Sequence, residues 1–431
     1  MFDVMHSPES VTDHRGKLKI NNKKNILFIY LGKRQREYFG QVGAILTDEF
    51  NVHYLKLRET IKLKDIFKNV SRLQGLTISD ADLEVLIKYY VNLRKYSKKL
   101  SLRRRFLMNS YLLKKHALSI ADKVNNYMQF HSIDLVCMWN GARVPLAVTG
   151  YIAKLMGIRT LYFENGVLPN TTTIDSKGVN FGNSLVGLPL TFWESVTIDQ
   201  AKLQLLTTQS LNVREKRQNK SKFTKLSSLL NRREICNKIS LPENYIFVPF
   251  QVHDDTQVLL FSPRIMTMEQ LLKYVCHAVE QFNQKTTVPL RIVVKEHPSD
   301  YSRVDYTELR RQYRECNVVF ANDYLTEDLI KQSKGVITLN SSVGIEALLY
   351  HKPVITLGNA FYNIPGLVTN VTDPNTLAEY LDVIDKPVNI NLINKFLYYL
   401  RYMYLTEGSW RNPDERHFAC VKEQILNELG M

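Results

Sequence analysis

The chain has few cysteines, and their arrangement argues against a disulfide framework or a structural zinc site. Its 431 residues contain five cysteines, none of them in a Cys-x-x-Cys pair. An odd and scattered set is typical of a protein from a reducing compartment, where thiols stay unpaired. The five are Cys137, Cys236, Cys276, Cys316 and Cys420.

Long apolar runs are also missing. No run approaches the roughly 20 apolar residues that cross a bilayer, and the polar stretch 1–24 lacks the apolar region of a signal peptide. We therefore expect a cytoplasmic protein. The hydrophobic content of 45% excludes wholesale disorder, and the length favours two domains over one.

Acidic residues are in deficit, with 42 Asp and Glu against 57 Lys and Arg, for a net charge of +15. Basic helices with apolar residues between the charges suit an anionic membrane surface, basic patches also suit nucleic acid, and the simplest interpretation is a solvated face. Because there are two clusters, we expect a surface contact at the inner face of a membrane and no nucleic acid. One cluster comprises Arg94, Lys95, Lys98, Lys99, Arg103, Arg104, Arg105, Lys114 and Lys115; the other comprises Arg214, Lys216, Arg217, Lys220, Lys222, Lys225, Arg232 and Arg233.

Strand and helix patterns alternate along most of the chain, as in βαβ units with a parallel sheet. Apolar runs predict strands at 25–31, 52–55, 133–139, 160–163, 245–250, 290–294 and 335–339, and the spacing of apolar residues predicts a helix throughout 77–127. We therefore expect an α/β protein with two Rossmann-like domains. They are residues 1–195 and 241–385, joined by a basic linker, 196–240, and followed by a helical segment, 386–431.

Polar stretches follow three of the apolar runs in the second half of the chain, at 251–257, 295–298 and 340–342. In an open α/β sheet, ligands bind in the crevice outside the carboxyl ends of the strands. The three stretches therefore predict one site, and their residue types suit a transferase that acts on a nucleotide-activated sugar.

The stretch Asn340, Ser341 and Ser342 stands directly before an apolar helix start that contains Gly344. The free N–H groups and partial positive charge of a helix N-terminus attract a phosphate, and hydroxyls add further donors. An ordinary serine N-cap is the alternative interpretation.

Lys295 and His297 stand two residues apart at a strand end, so their side chains point to the same side. Together they suit a phosphate or a carboxylate, and Pro298 ends the strand there. A hydrogen-bonded loop histidine is the alternative.

Asp254 and Asp255 offer adjacent carboxylates after the strand at 245–250. They suggest a divalent metal site, but no third acid stands nearby in the sequence. An aspartate can instead be the covalent nucleophile towards an anomeric carbon. A helix cap is the third interpretation.

Two strand ends in the first half also carry polar side chains. Glu164, followed by Asn165 and Gly166, is a candidate acid or base. Asn140 and Arg143 follow the preceding strand and are candidates for binding an acceptor. Turn chemistry is the alternative for both.

Taken in order, these motifs resemble those of the bacterial retaining β-Kdo glycosyltransferases of capsule and O-antigen assembly, the KpsS/KpsC and WbbB-type enzymes. The resemblance covers residues 139–369. It lies in the motifs Phe163-Glu164-x-Gly166, Gln251-x-x-x-Asp255, Lys295-x-His297-Pro298 and Asn340-Ser341-Ser342-Val343-Gly344.

The resemblance implies a GT-B-like fold with a central cleft between an acceptor domain and a CMP-sugar donor domain. It implies CMP-β-Kdo as donor, a saccharide or lipid-linked acceptor, retention through a covalent adduct, and no metal or other cofactor. Asp255 would be the nucleophile. Asp254 departs from the family pattern, and its negative charge beside the nucleophile is expected to raise the pKa of Asp255. Glu164 would be the acid/base; the donor would bind Gln251, Lys295, His297, Pro298, Asn340, Ser341, Ser342 and Gly344, and the acceptor Asn140, Arg143 and Asn165.

Two alternatives to this function stay open at the level of the sequence. One is an inverting transferase of the CMP-sialic acid type, which needs no nucleophile. The other is a non-catalytic, membrane-associated factor of capsule assembly that uses the basic clusters.

Overall fold

The computed structural model describes residues 23–58, 76–97, 100–206, 240–314 and 316–431. Their framework is a pair of six-stranded sheets, one for each half of the chain. The first half contributes strands β1 (Asn25–Tyr30), β2 (Asn51–Lys56), β3 (Leu135–Trp139), β4 (Arg159–Asn165) and β5 (Thr171–Asp175), and helices α1 (Lys33–Ala44), α2 (Asp80–Tyr96), α3 (Leu102–Leu107), α4 (Ser110–Phe130), α5 (Leu146–Leu155) and α6 (Leu190–Ser195).

The second half contributes the other sheet and the C-terminal elements. Its strands are β6 (Tyr245–Pro249), β7 (Arg291–Lys295), β8 (Val318–Phe320), β9 (Gly335–Thr338), β10 (Val354–Thr356), β11 (Thr369–Asn370) and β12 (Thr406–Glu407). Its helices are α7 (Thr256–Phe261), α8 (Met268–Asn283), α9 (Thr307–Gln312), α10 (Thr326–Gln332), α11 (Ser342–Leu348), α12 (Ile390–Tyr399) and α13 (Glu415–Leu429). Shorter 3₁₀ segments are Asn180–Gly182, Pro298–Asp300 and Pro374–Asp385, and Leu400–Tyr404 is a π-helical turn.

Both sheets are mainly parallel. The first has the order β12-β5-β4-β3-β1-β2, in which β5 and β12 are antiparallel to their neighbours. The second has the order β11-β10-β9-β6-β7-β8 and is parallel throughout. The predicted α/β class, with two Rossmann-like domains in a GT-B-like arrangement, is confirmed.

The central strands are continuous apolar runs because helices cover both of their faces. Every residue of β3 and of β6 is buried. Helix α8 is amphipathic: the Thr267 hydroxyl caps it by accepting from the Gln270 N–H at 3.2 Å, and Leu271, Val275 and Val279 lie on its buried side. Such packing fixes the strand ends, and therefore the site, on rigid elements.

The C-terminal segment divides between the two domains. Helix α12 packs into the second domain, where Ile393 and Phe396 are fully buried. The chain then crosses back, β12 pairs with β5, and Val421 and Ile425 of α13 join the core of the first domain. The predicted helical segment 386–431 therefore contains a strand and a loop as well as helices.

The prediction that 77–127 is helical throughout holds for α2, α3 and α4 but not for the described residues between them. Helix α2 ends at Tyr96, and α3 and α4 each start at a new N-cap. The Ser101 hydroxyl accepts from the Arg104 N–H at 3.3 Å, and the Asn109 side chain accepts from the Tyr111 N–H at 2.9 Å. These local bonds compete with a continuous helix.

Much of the predicted linker 196–240, and with it the second basic cluster, lies outside the described residues. The domain boundaries therefore stay predictions. Among the helices that the structure describes, none combines the length and apolar character that a membrane span requires.

Helix α2 of the first domain contacts α7 of the second. The Tyr89 hydroxyl donates to the Asp254 carbonyl oxygen at 2.9 Å, and the Asn92 amide donates to the Leu259 carbonyl oxygen at 2.7 Å. Leu93 packs with Leu259 beside these bonds. The loop that carries the candidate nucleophile is thus held from both domains.

Candidate active site

A cavity of about 820 Å³ lies between the two domains, at the carboxyl ends of β3, β4, β6, β7 and β9. This is the position that the strand-end argument predicts. The predicted site residues that line it are Asn140, Glu164, Asn165, Gln251, Asp255, His297, Asn340, Ser341 and Ser342.

Asp255 is the N-cap residue of α7. Its carboxylate accepts from the Gln257 N–H at 3.0 Å, so the capping interpretation is correct and leaves the carboxylate at the cavity wall. Burial and then the charge of Glu164 raise the pKa of Asp255, while His297 acts in the opposite direction. The charge of one candidate catalytic carboxylate, Glu164, therefore acts on the other, Asp255, across the cleft.

Asp254 was expected to raise the pKa of Asp255, and the structure gives it a different role. Its carboxylate forms an ion pair with Arg303, and the Asp254 carboxylate is not among the groups that raise the pKa of Asp255. Its backbone carbonyl is the acceptor for Tyr89. Asp254 thus anchors the loop.

Glu164, at the end of β4, is held by three donors. The Asn140 amide donates to Oε2 at 2.6 Å, and the backbone and side-chain N–H groups of Asn165 donate to Oε1 at 2.8 Å. Asn140 adopts the left-handed region, with φ 61°, and its Oδ1 accepts from the Ala142 N–H at 3.1 Å. Both asparagines therefore orient the carboxylate that lines the cavity.

The bond network behind Glu164 extends to the C-terminal crossover. The Trp410 indole N–H donates to Asn165 Oδ1 at 2.9 Å, and the Trp410 ring packs against Trp139 with centroids 4.3 Å apart. Sequence reasoning missed Trp410 because it stands more than 200 residues from its partners.

His297 presents a donor to the cavity. Its Nδ1 accepts from the Ser299 N–H at 3.1 Å, so the neutral ring carries its proton on Nε2. Burial lowers the pKa of His297, against the opposing charges of Asp300 and Asp255. The ring is therefore neutral at pH 7 and suited to donating a hydrogen bond to an anionic oxygen.

Asp300 ties the His297 loop to the Asp255 loop. It is 1% exposed, and its two carboxylate oxygens bind the backbone N–H of His253 at 2.8 Å and the His253 ring at 2.9 Å. Burial by itself would raise the pKa of Asp300, but the bonds from His253 and the charge of Arg303 lower it overall. No motif in the sequence around Asp300 indicated this role.

Gln251 and Asn340 form a buried amide pair between β6 and β9. Gln251 Nε2 donates to Asn340 Oδ1 at 3.0 Å, and the Asn340 amide donates to the carbonyl oxygens of Gln257 and Asn359 at 2.9 and 3.3 Å. Their side chains are thus occupied in holding strand ends together. Both residues also line the cavity, and their predicted role in binding the donor stays a prediction.

Ser341 is the N-cap of α11: its hydroxyl accepts from the Val343 N–H at 3.2 Å. Ser342 is exposed at the first turn and lines the cavity. Gly344 lies behind it, because a Cβ there would stand 2.5 Å from the Tyr362 hydroxyl, which donates to the Ser341 carbonyl oxygen. Gly344 is therefore required for packing.

The structure places three other predicted ligands outside the cavity wall. Lys295 is the last residue of β7, and its ammonium donates to the Tyr324 carbonyl oxygen. The Arg143 guanidinium lies over the Tyr89 ring, 5.4 Å from its centroid. Pro298 begins the short 3₁₀ turn. Of the pair Lys295 and His297, only His297 lines the cavity, because the Tyr324 carbonyl oxygen holds the Lys295 ammonium; that the two bind one ligand together stays a prediction.

The family model described as capsule polysaccharide biosynthesis protein matches residues 234–408. The protein FixF of Sinorhizobium fredii is 30% identical over 306 residues, which are 70% of this chain and 68% of FixF. The chain belongs to the capsule polysaccharide biosynthesis protein family.

Two further similarities cover different shares of the chain. The capsule polysaccharide modification protein LipB of Neisseria meningitidis is 30% identical over 142 residues, 32% of each protein. The solved structure of Thermosulfurimonas dismutans KpsC, a beta Kdo 2,7 transferase, covers 94% of this chain and is itself covered completely, at 16% identity and a TM-score of 0.47.

The charges that line the cavity of this family member are mainly negative. The acidic residues are Glu164, Asp255, Glu327 and Glu346, and Arg411 is the one Lys or Arg among the described lining residues. Glu327 is partly neutralised by Lys331, at 2.7 Å. Arg411 and Glu346 were not predicted, because neither stands at a strand end.

The acidic residues of the cavity do not form an evident metal site among the described residues. Within the described ranges no three His, Cys, Asp or Glu side chains are grouped as ligands. A metal-independent site stays a prediction.

Proposed function

We propose that the chain is a retaining glycosyltransferase that moves Kdo from CMP-β-Kdo to a saccharide or lipid-linked acceptor. The observation that carries this proposal is the pair Asp255 and Glu164, which line one cavity from different domains and couple electrostatically. Membership of the capsule polysaccharide biosynthesis family agrees with a saccharide as substrate.

The first step uses the Asp255 carboxylate as the nucleophile. One of its oxygens bonds to the anomeric carbon of Kdo while the bond from that carbon to the phosphate oxygen breaks, so that CMP leaves with the electron pair. His297 and Ser342, at the N-terminus of α11, line the same cavity and would donate hydrogen bonds to the departing phosphate.

The second step uses Glu164 as the base. Its carboxylate accepts the proton of the acceptor hydroxyl while that oxygen bonds to the anomeric carbon and the bond to Asp255 breaks. Asn140 and Asn165 hold Glu164 in position for this transfer. Two inversions at one carbon retain the β-configuration.

The two alternatives lack a role for these residues. An inverting CMP-sialic acid-type transferase would leave Asp255 unused, and a non-catalytic assembly factor would need neither carboxylate. The coupling of both groups in one cavity favours the double displacement over both.

Incubation with CMP-β-Kdo tests the mechanism directly. The wild type should release CMP, and Asp255→Asn should bind CMP without releasing any from the sugar nucleotide. Glu164→Gln should accumulate one Kdo on the peptide that contains Asp255, measured by intact mass and peptide mapping. Asp254→Asn is the matched control and should retain turnover, since the Asp254 side chain is not among the described lining residues and the backbone bond from Tyr89 still holds the loop.

Three outcomes would contradict the proposal in different ways. Turnover by Asp255→Ala would exclude the adduct and favour the inverting alternative. No CMP release by the wild type would favour the non-catalytic factor. A loss of activity in EDTA would contradict the metal-independent site.

We further propose that the protein works in the cytoplasm, at the inner face of the membrane. Leu102 and Phe106 on α3 are 87% and 64% exposed, and the exposed Arg103 and Arg104 stand between them. Apolar side chains flanked by cations suit the interface of an anionic bilayer. This surface would bring the cleft close to a lipid-linked acceptor.

A further inference from the structure

We infer that Arg411 is the anion-binding residue of the acceptor subsite, so that the acceptor carries a carboxylate or phosphate close to its reacting hydroxyl. The inference rests on the proposed transfer reaction and extends it to the class of acceptor. Its basis is the charge distribution of the cavity and the position of the C-terminal crossover.

The cavity as a whole opposes an anionic acceptor. Glu164 and Asp255 are the two reacting carboxylates, and burial together with their mutual repulsion raises the pKa of Asp255. An anion that approaches them pays a Coulomb cost unless a cation stands nearby. Arg411 is the one Lys or Arg that the described part of the chain places on the cavity wall.

The position of Arg411 is on the acceptor side of the cleft. The segment after β12 is fixed to the first domain by the Gly408 N–H, which donates to the Asn170 carbonyl oxygen at 2.9 Å, and by the Trp410 N–H, which donates to the Thr172 hydroxyl at 3.0 Å. Arg411 therefore lies on the side of Glu164, the base that takes the acceptor proton. His297 and Ser342, which suit the CMP phosphate, belong to the other domain.

The guanidinium of Arg411 is exposed, and it rests on an aromatic face. Its carbon lies 4.7 Å from the Trp410 ring centroid, and the same indole donates to Asn165. Stacking orients the planar group and leaves its N–H donors able to bind both oxygens of a carboxylate or phosphate. The network Arg411–Trp410–Asn165–Glu164 thus couples an anion-binding group to the base.

Arg411 could instead bind the carboxylate of the donor sugar, and steady-state kinetics distinguish this role from acceptor binding. For an acceptor-binding role, Arg411→Gln should raise the KM for an anionic acceptor by roughly 10- to 150-fold, the effect of losing a charge-assisted hydrogen bond. The KM for CMP-β-Kdo should stay as in the wild type. Arg411→Lys should restore only part of the acceptor affinity, because an ammonium lacks the planar fork.

The acceptors are tested in matched pairs that differ in one charge. A Kdo glycoside and a glucuronide are each compared with their primary amide, and a glycerol phosphodiester glycoside with the neutral glycerol glycoside. The wild type should prefer the charged member of at least one pair, and the pair whose preference Arg411→Gln abolishes identifies the anion as carboxylate or phosphate. Arg416→Gln is the control, since Arg416 is exposed on the same segment and pairs with Glu407 at 2.9 Å.

Three results would overturn the inference. The first is equal use of charged and neutral members in every pair. The second is an Arg411→Gln variant with a raised KM for CMP-β-Kdo and an unchanged KM for the acceptor, which would assign Arg411 to the donor carboxylate. The third is a wild type that releases no CMP from CMP-β-Kdo, and this result alone would overturn the proposed function as well.

Discussion

The protonation of one residue, Asp255, should control the acid side of the pH profile. Burial and the charge of Glu164 raise the pKa of Asp255, so the nucleophile is lost as pH falls through a value above that of an ordinary aspartic acid. In Glu164→Gln the second contribution disappears, and the acid limb of the CMP burst should move to lower pH. Rapid-quench measurement of the burst between about pH 4 and 8 checks this.

The step measured there is adduct formation, so the expected loss of the acceptor step in Glu164→Gln does not interfere. The Asp254→Asn variant should keep the wild-type limb, because Asp254 is not among the charges that shift Asp255. An acid limb at the same pH in wild type and Glu164→Gln would contradict the coupling.

His297 should determine affinity for the leaving group. Because burial lowers the pKa of His297, its neutral ring would donate Nε2–H to the phosphate of the proposed donor at pH 7. His297→Ala should weaken CMP binding by roughly 10-fold or more, as expected for a hydrogen bond to a charged group. Titration calorimetry measures this, with His277→Ala, on the exposed side of α8, as the control. Equal affinities in His297→Ala and wild type would place the phosphate elsewhere.

At the scale of single residues, the sequence predicted the cavity-lining side chains whose position depends on the strand end alone. Asp255, Glu164 and His297 line the cavity because each lies at or shortly after the carboxyl end of a parallel strand. Arg143 and Lys295 meet the same criterion and lie elsewhere, because long side chains choose among rotamers according to distant partners. Those partners are the Tyr89 ring and the Tyr324 carbonyl oxygen.

At the scale of elements, the amide pair of Gln251 and Asn340 should stabilise the second sheet. Gln251→Ala removes the donor to Asn340 Oδ1 and the acceptor for the Asn340 N–H, both in a buried site. An unsatisfied buried polar group costs about 1–3 kcal/mol, and we expect a decrease of that size in the free energy of unfolding. Urea denaturation measures it, and the exposed Gln129→Ala on α4 is the control. A loss of CMP affinity at unchanged stability would instead make Gln251 a direct ligand.

Elements with a strong local signal were predicted and those that depend on long-range pairing were not. Strands β1, β3 and β6 lie within two residues of the predicted runs, because their side chains are apolar on both faces. Strand β5 is rich in threonine, and β12 has two residues; each exists through pairing with a strand distant in the sequence or across a turn. No periodicity reveals such pairings.

At the scale of the whole molecule, the crossover of the C-terminal segment determines what the cleft contains. It brings Trp410 and Arg411 to the cavity beside Glu164, although 245 residues separate Trp410 from its bonding partner Asn165. The sequence analysis predicted only that this segment is helical. The physical reason for the difference is that a loop between α12 and α13 has to reach the first sheet, and the sequence shows the two helices but not where the second one docks.

The proposed membrane attachment also belongs to the scale of the whole molecule, and variants of α3 test it. Each Lys or Arg near an anionic bilayer contributes about 1 kcal/mol, so Arg103→Glu with Arg104→Glu should weaken binding by at least roughly 30-fold. Replacing Leu102 and Phe106 by serine should weaken it at every salt concentration, since insertion of apolar side chains is not screened, whereas the charge contribution decreases with salt.

The measurement is flotation with vesicles of phosphatidylcholine, with and without phosphatidylglycerol, at low and high salt. The double reversal Lys273→Glu and Lys285→Glu, at exposed positions on and just after α8, should leave flotation almost unchanged. Arg105 and Lys114 are unsuitable for such tests, because Arg105 donates to the Ser97 carbonyl oxygen and Lys114 pairs with Asp80 and Glu84. If the wild type ignores anionic vesicles at low salt, α3 is a solvated helix or binds a protein. If flotation survives both α3 variants, attachment depends on another surface, for which the second basic cluster is the next candidate.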